Sequence, residues 1–252
     1  MKSLRLLFLA FLLPLLAGCE QKAVRAKVPR PPELPSRQPT VVASLPPLQP
    51  EQPKTSAKNN TPPVIVSENQ TPIYTELGIA SWYGPPYHNR RAANGEVYDM
   101  NQMTAAHRTL PLNSIVRVTN IQTGDSAIVR ITDRGPFIGE RMLDLSLAAA
   151  KAVDVWGPGT AWVKMDVLQT PAAIDSGGRW AVQIGAFDDV TVATKLKQEI
   201  LSRYGSTNVL EFAGPTGEWV RIRVPNDDRH SAEEISRSIT TPEGGVFLVR
   251  LD

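Results

Sequence analysis

The order of hydrophobic and polar positions divides the chain into four segments of different character. An uninterrupted apolar run, Leu6–Leu16, stands near the N-terminus, and a long proline-rich stretch with few apolar clusters follows it. From about residue 77, apolar and polar positions alternate in short runs, which is typical of half-buried strands. From about residue 178, such runs are separated by two stretches with helical spacing. The pattern predicts segments 1–18, 19–74, 77–169 and 178–252.

The first segment has the layout of an export signal. Lys2 and Arg5 precede the apolar run, which is shorter than the roughly 20 residues that a membrane-spanning helix needs. Its last residues, Leu16-Ala17-Gly18-Cys19, resemble the bacterial lipobox, in which the cysteine is diacylated and becomes the new N-terminus. Cys19 is the only cysteine of the chain and has no partner for an internal disulfide, so lipid attachment explains its presence. A cysteine placed by chance beside an ordinary signal peptide is the alternative.

Glu20 bears on the destination of this lipid anchor. In enteric-type sorting an aspartate at this position holds lipoproteins at the inner membrane, and this chain has a glutamate there. The resemblance therefore implies an anchor in the outer membrane, facing the periplasm.

The second segment, 19–74, is predicted to be a disordered tether. It has Pro-Pro pairs at 31–32, 46–47 and 62–63 and almost no aromatic residues, so it has too little apolar surface to offset the entropy of ordering. As a flexible coil it would average roughly 40 Å end to end, and as extended polyproline II it would reach roughly 170 Å. We expect such a tether to let anchored domains work at a distance from the membrane.

The third segment, 77–169, is predicted to form a small closed barrel. Alternation predicts a hairpin of Ser114–Asn120 and Ser126–Thr132 around a turn at Gln122–Asp125. Further strands are predicted at Gly78–Gly84 and Thr160–Leu168, and a short helix at Leu145–Val153 with Asp144 or Ser146 as its N-cap. Many short strands with one short helix favour a barrel.

Six sequence blocks in this segment carry a family resemblance. They are Ala80–Gly84 (ASWYG), Ala93–Met100 (ANGEVYDM), Thr104–Pro111 (TAAHRTLP), Val116–Asn120 (VRVTN), Asp133–Phe137 (DRGPF) and Asp144–Ser146 (DLS). Their order resembles the six-stranded double-psi beta-barrel of the rare lipoprotein A family. The resemblance implies lytic transglycosylase activity on the MurNAc–GlcNAc bond of peptidoglycan, a preference for strands without stem peptides, and 1,6-anhydroMurNAc ends.

The same resemblance names candidate catalytic residues. Cleavage of a glycosidic bond requires a proton for the leaving oxygen and usually a second group at the ring. The family's catalytic carboxylates match Glu96 and Asp133, and its active-site histidine matches His107. We expect Asp133 to act as the general acid and base, Glu96 to assist or orient it, and His107 to hydrogen-bond the pair. Trp82 is expected either to stack on a sugar ring or to be buried against nearby prolines.

The fourth segment, 178–252, is predicted to have the ferredoxin-like order βαββαβ. The predicted strands are Trp180–Phe187, Asn208–Phe212, Glu218–Val224 and Gly245–Arg250, and the predicted helices are Val190–Tyr204 and Ser231–Ile239, the latter with a Ser231–Glu234 capping box.

Two of these strands resemble a second family. The runs WAVQIGAF (180–187) and VRIRV (220–224) resemble the sporulation-related repeat (SPOR) domain. That family implies binding to peptide-free glycan strands, which gather at the division septum. Gln183, Trp219 and Arg221 are expected either to meet sugar on the sheet face or to serve folding and solubility.

Composition narrows the functional classes. A net charge of +2 and the lack of a Lys/Arg run argue against nucleic acid as a partner. The three histidines show no ligand spacing, so neither a metal nor another cofactor is expected.

The interpretation is a septum-recruited lytic transglycosylase, held to the membrane by its lipid, with division proteins as candidate partners. Its alternatives are an expansin-like, non-catalytic glycan-binding lipoprotein and a passive structural lipoprotein.

Overall fold

A computed structural model of the protein describes residues 70–252, apart from positions 206, 215 and 242. The predicted signal peptide, Cys19 and the tether up to residue 69 lie outside the described residues. Within the described part of the chain, no helix is both long and apolar enough to cross a bilayer.

The first half of this part closes into a six-stranded barrel. The strands are β1 (Tyr74–Trp82), β2 (Thr104–His107), β3 (Ile115–Asn120), β4 (Ser126–Asp133), β5 (Arg141–Leu145) and β6 (Thr160–Gln169). They close in the order β1-β5-β2-β4-β3-β6. The β1–β5 and β2–β4 pairs are parallel, and the other pairs are antiparallel. The predicted double-psi barrel and its β3–β4 hairpin are confirmed.

Alternating apolar side chains fill the barrel. Val116 and Val118 of β3 and Ile131 of β4 point into one fully buried cluster. Helix α1 (Leu147–Ala152) packs Ala149 and Ala150 into this cluster, and the Ser146 hydroxyl caps the helix by accepting a hydrogen bond from the backbone N–H of Ala149. Ser146 is therefore the N-cap, and Asp144 belongs to β5.

The observed strands differ from the predicted ones where backbone pairing defines a strand and its side chains show no alternation of apolar and polar residues. Strand β1 begins at Tyr74, before the predicted Gly78, because its first residues pair with β6 through their backbone while Leu77 stays 62% exposed. Strands β2 and β5 were not predicted. The predicted helix start at Leu145 is wrong, since this residue ends β5 and pairs with both Trp82 and Ala105.

The C-terminal half has the predicted βαββαβ order. It consists of β7 (Trp180–Phe187), α2 (Val190–Arg203), β8 (Asn208–Gly214), β9 (Gly217–Arg223), α3 (Arg229–Ser238) and β10 (Gly245–Arg250). The antiparallel sheet has the order β10-β7-β9-β8. A core cluster joins one sheet face to both helices, with Val182, Ile222, Ile200 and Ile235 among its members.

The start of α3 corrects one prediction. The helix begins at Arg229, and the Asp228 carboxylate caps it by accepting from the backbone N–H of Ser231. Ser231 therefore lies inside the first turn, and the predicted Ser231–Glu234 capping box is wrong. Asp228 caps the helix N-terminus three residues before the predicted cap, Ser231.

Candidate active site

A cleft of about 1200 Å³ lies between the barrel and the open face of the C-terminal sheet. The barrel lines it with the ends of β2, β4 and β5 and with the segment from Arg134 to Glu140. The sheet lines it with residues of β7, β8, β9 and β10 that point away from the helices, including Gln183, Phe212, Trp219 and Phe247.

Asp133 occupies the end of β4 at this cleft. Its Oδ1 accepts hydrogen bonds from the backbone N–H groups of Arg134 at 2.8 Å and Ala93 at 3.0 Å. Burial raises the pKa of Asp133, although these two bonds and the Arg134 charge oppose the rise. The carboxyl is thus fixed in position and retains its proton to a higher pH than an exposed aspartate.

Glu96 stands in a different environment. Both of its oxygens accept from Arg130, Oε1 from Nη1 at 2.9 Å and Oε2 from Nη2 at 2.7 Å. This bidentate bond holds the pKa of Glu96 below its ordinary value, so the side chain is ionised at neutral pH. Glu96 is not among the residues that line the cleft.

The loop that carries Glu96 nevertheless touches Asp133. The Ala93 N–H binds the Asp133 carboxylate, and the Asn94 N–H donates to the Thr132 carbonyl at 3.1 Å. The Glu96–Arg130 ion pair fixes the same loop to β4. The geometry therefore suits Glu96 for orienting Asp133 through the loop.

His107 is buried and has partners other than those expected. Its Nδ1 accepts from the backbone N–H groups of Leu110 at 3.0 Å and Thr109 at 3.2 Å, while its Nε2 faces Oε2 of Glu76 at 3.6 Å. The expected hydrogen bonds from His107 to Glu96 and Asp133 are therefore wrong, because both ring nitrogens face other groups. Burial lowers the pKa of His107, and an Nδ1 that accepts two bonds keeps the ring neutral.

Asp144 is a cleft-lining carboxyl that the sequence interpretation placed in a family block and named as a possible helix cap, without a catalytic role. Its Oδ2 accepts from Nη2 of Arg141 at 3.1 Å, while its buried Oδ1 has no hydrogen-bond partner among the described residues. Burial raises the pKa of Asp144 to about 6 despite the neighbouring charges of Arg141 and Arg108. The sequence interpretation also missed Glu76, the partner of His107. Neither Glu76 nor Asp144 stands in a turn motif.

The aromatic residues after β1 separate into two groups. Trp82 packs against the barrel core and is not among the cleft-lining residues, so its expected stacking on sugar gains no support from this position. Tyr83 and Tyr87 line the cleft, with their rings edge to face at 5.9 Å. The Tyr83 ring also packs on Tyr98 at 4.4 Å.

The three residues predicted for glycan binding share the open face of the C-terminal sheet. Arg221 donates from Nη2 to the Gln183 side-chain oxygen at 2.6 Å, and its guanidinium lies 4.9 Å from the Phe212 ring centroid. Trp219 is buried and packs closely on Gly214, where an added Cβ would lie 2.6 Å from the indole nitrogen. The face therefore offers a fixed polar pair beside aromatic rings.

Charged side chains around the cleft are mixed in sign. Five arginines line it, at positions 90, 91, 108, 134 and 141, together with the carboxyl side chains at 76, 133, 140 and 144. Arg90 is exposed and its guanidinium carbon lies 6.0 Å from the Tyr87 ring centroid. In the described part of the chain, no three His, Cys, Asp or Glu side chains are grouped closely enough to hold a metal ion.

Comparisons with known proteins agree with both domains. Residues 75–165 match the double-psi barrel family described as "Lytic transglycolase", and residues 176–248 match the SPOR domain family. The chain is 50% identical over 115 residues to the "Endolytic peptidoglycan transglycosylase RlpA" of Neisseria meningitidis, covering 46% of each protein. It is 39% identical over 186 residues to the protein of that name from Pseudomonas aeruginosa, covering 71% of this chain and 52% of that protein.

These likenesses cover only part of the related proteins. The chain spans about half the length of the curated relatives it matches. The chain is 17% identical to a solved expansin from Clavibacter michiganensis, with a TM-score of 0.33, and the match covers 58% of this chain and 78% of that one. The two matched domains and the curated relatives place this chain in the rare lipoprotein A (RlpA) family.

Proposed function

We propose that this protein is an endolytic peptidoglycan lytic transglycosylase that cleaves glycan strands at the barrel mouth. The observation that carries the proposal is Asp133, a carboxyl with a raised pKa fixed by two backbone N–H groups at the edge of the cleft. A carboxyl whose pKa lies above the ordinary value can exchange protons nearer to neutral pH than an exposed carboxyl can. The curated relatives named above bear the name of this activity.

Lytic transglycosylation requires two proton transfers at one sugar residue. A proton reaches the glycosidic oxygen between MurNAc and GlcNAc, and the bond from that oxygen to the anomeric carbon breaks. The muramic acid 6-hydroxyl loses its proton and its oxygen bonds to the same anomeric carbon, which leaves a 1,6-anhydroMurNAc end and consumes no water. Asp133 takes part in this proton exchange, and Glu96 and His107 act as positioning residues.

The charges of the cleft support a preference for strands without stem peptides. Removing the peptide leaves the lactyl group of MurNAc as a free carboxylate. The cleft offers cationic side chains for it, and Arg90 suits this role because it is exposed and the Tyr87 ring is the one described contact of its guanidinium. Arginine suits this task because its guanidinium recognises carboxylates in a bidentate manner.

The C-terminal domain is proposed to hold the same strand that the barrel cuts. Gln183 and Trp219 line the cleft from the sheet side, and Arg221 fixes the amide of Gln183. A strand bound on both sides is held by two sites at once, which raises its local concentration at the barrel.

The site of action is proposed from the N-terminal sequence. Lipidation of Cys19 would anchor the protein in the outer membrane, facing the periplasm, and the tether would reach the cell wall. The SPOR domain would concentrate it at the division septum, where peptide-free strands gather.

Digestion of purified glycan tests the activity. Protein beginning at residue 20 is incubated with peptide-free strands, and the products are analysed by mass spectrometry. We expect anhydro-ended fragments, and a loss of about 10²–10⁴-fold in rate for Asp133→Asn. Asp125→Asn, in the exposed β3–β4 turn, is the matched control and should cleave as wild type does.

Each other outcome favours a different function. Ordinary reducing ends would indicate hydrolysis in place of transglycosylation. Binding without any cleavage would favour the non-catalytic, expansin-like alternative.

A fluorescent fusion tests the recruitment. The paired change Gln183→Ala and Arg221→Ala should disperse the septal signal, because it removes the polar pair on the sheet face. An unchanged septal signal in that variant would contradict the proposed role of this face.

A further inference from the structure

Two carboxyl residues flank one small residue at the floor of the cleft. In the barrel, Ala106 of β2 pairs with Asp133 of β4 on one side and with Asp144 of β5 on the other. Neighbouring strands lie about 4.8 Å apart, which places the two aspartate backbones roughly 10 Å apart across Ala106. Asp133, Ala106 and Asp144 all line the cleft, so their side chains share its floor.

The contacts of Asp144 leave one of its oxygens without a hydrogen-bond partner among the described residues. Its side chain is 14% exposed, and the Arg141 guanidinium binds Oδ2 only. Oδ1 is buried with no hydrogen-bond partner among the described residues. An unpartnered buried carboxylate oxygen is unfavourable, and a proton on it removes the charge that lacks a partner.

The charged and titratable groups around Asp144 come from three neighbouring segments. Arg141 lies on its own strand, Arg108 follows β2, and the Tyr83 phenol follows β1. The two arginines favour the ionised carboxyl, and burial opposes them and prevails. The charges of Asp133 and Asp144 both help to raise the pKa of the Tyr83 phenol.

We propose that Asp144 is a second catalytic carboxyl, which gives the proton to the glycosidic oxygen while Asp133 takes the proton from the 6-hydroxyl. This inference rests on the proposed transglycosylase function. The proton of Asp144 moves to the leaving oxygen, the bond between that oxygen and the anomeric carbon breaks, and the O6–carbon bond forms. The O6 proton moves to Asp133, and exchange with solvent returns both carboxyls to their starting states.

The environments of the two carboxyls decide which one is the acid. Burial raises the pKa of Asp133, but two backbone N–H groups on one of its oxygens oppose that rise and stabilise the ionised form, which suits a base. The Asp144 carboxyl accepts one hydrogen bond, from Arg141. Burial raises its pKa to about 6, so it keeps its proton to a higher pH than an exposed aspartate does. Glu96 does not fit the acid role, because Arg130 keeps it ionised and it does not line the cleft.

The pH dependence of cleavage tests this assignment. The full protein from residue 20, with Asp144→Asn, Asp133→Asn and the control Asp125→Asn, is assayed on peptide-free glycan from acidic to mildly alkaline pH. In wild type, turnover should fall as pH rises through about 6, where Asp144 loses its proton. Asp144→Asn should turn over about 10²–10⁴-fold more slowly and still bind glycan.

The outcomes separate the inference from the function on which it rests. If wild type does not cleave, the proposed function fails and the assignment of Asp144 fails with it. If wild type cleaves and Asp144→Asn keeps both its rate and its basic limb, the function stands and Asp144 is not the acid.

A second variant covers the case in which Asp144→Asn does not fold. Arg141→Gln keeps the carboxyl and removes the guanidinium that stabilises its ionised form. The basic limb of turnover should then move to higher pH. A basic limb that stays at the wild-type position in this variant would overturn the assignment.

Discussion

The ring of Phe137, on the loop after β4, stands edge to face with Trp219 of the C-terminal sheet, with 5.6 Å between ring centroids. Phe137 also contacts Phe247 at 5.7 Å, and the guanidinium of Arg108 lies 5.6 Å from the Phe247 centroid. The backbone N–H of Arg250 donates to the Arg108 carbonyl at 3.0 Å. The barrel and the C-terminal sheet therefore share an aromatic cluster at one end of the cleft.

Replacing Phe137 by alanine should loosen the contact between the two domains. Each aromatic pair contributes about 0.5–1.5 kcal/mol beyond its buried area, so the variant loses about 1–3 kcal/mol of docking. Calorimetry should show the two domains melting further apart in temperature than in wild type. Cleavage of long strands, which are held by both domains, should decrease more than cleavage of short fragments.

Trp162→Ala is the control for this change. Trp162 is a 57% exposed barrel aromatic and lies on β6, which is absent from the cleft. It should leave the melting of both domains and the ratio of long to short substrates near wild type. Equal losses on long and short strands in Phe137→Ala would contradict a shared cleft.

Glu96 and Arg130 should behave as one unit in a double-mutant cycle. Glu96→Gln and Arg130→Gln each break the bidentate ion pair that fixes the loop carrying Ala93 to β4. Each should reduce kcat by a similar factor, and the double variant should lose little more than either single one, because groups that act as a unit are not additive.

A direct catalytic role for Glu96 makes the opposite prediction. In that case Arg130→Gln would retain most of its activity while Glu96→Gln lost it. Asp99→Asn, a carboxylate of the same loop region outside the cleft lining, serves as the control and should stay near wild type.

The sequence predicts the elements whose apolar positions alternate. The β3–β4 hairpin, β6 and the two C-terminal helices follow from local patterns because each has one face in a core and one outside it. Strand β2 gives no alternation, since all four of its residues are buried. Only its backbone pairing with β4 and β5 in the structure identifies it as a strand.

The same reasoning explains which site residues could be predicted. Asp133 and Glu96 stand in sequence blocks that resemble the family, and it is this resemblance, not their local turn pattern, that points to them. Asp144 stands just before a helix, where an aspartate ordinarily caps, and only its pairing with Ala106 across the barrel reveals a cleft position. The partner of His107 is likewise non-local, because Glu76 lies on β1 and His107 on β2.

Arg90→Gln should weaken the binding of peptide-free glycan. The exposed guanidinium is proposed to bind the free lactyl carboxylate, and an exposed charge pair of this kind is screened by salt. The variant should raise KM several-fold with little change in kcat, and its KM should depend less on salt than that of wild type. Arg203→Gln, on α2 and away from the cleft lining, is the control. A loss that is equal for peptide-bearing and peptide-free strands would argue against lactyl recognition.

Asp144→Asn should be more stable than wild type at neutral pH although it loses activity. Because the pKa of Asp144 is raised to about 6 in the folded state, the folded protein binds its proton more tightly than the unfolded chain does. The contribution of Asp144 to stability is thus fully present below the ordinary aspartate pKa and is lost as pH rises through about 6. The difference between this pKa and the ordinary value of about 3.9 corresponds to up to about 3 kcal/mol in the free energy of unfolding at pH 7.

Urea unfolding should show Asp144→Asn gaining stability over wild type at neutral pH, with the gain shrinking as pH falls toward the ordinary aspartate pKa. Asp125→Asn should show no such trend, and a neutral-pH loss of stability in Asp144→Asn would mean that the ionised carboxylate supports the fold.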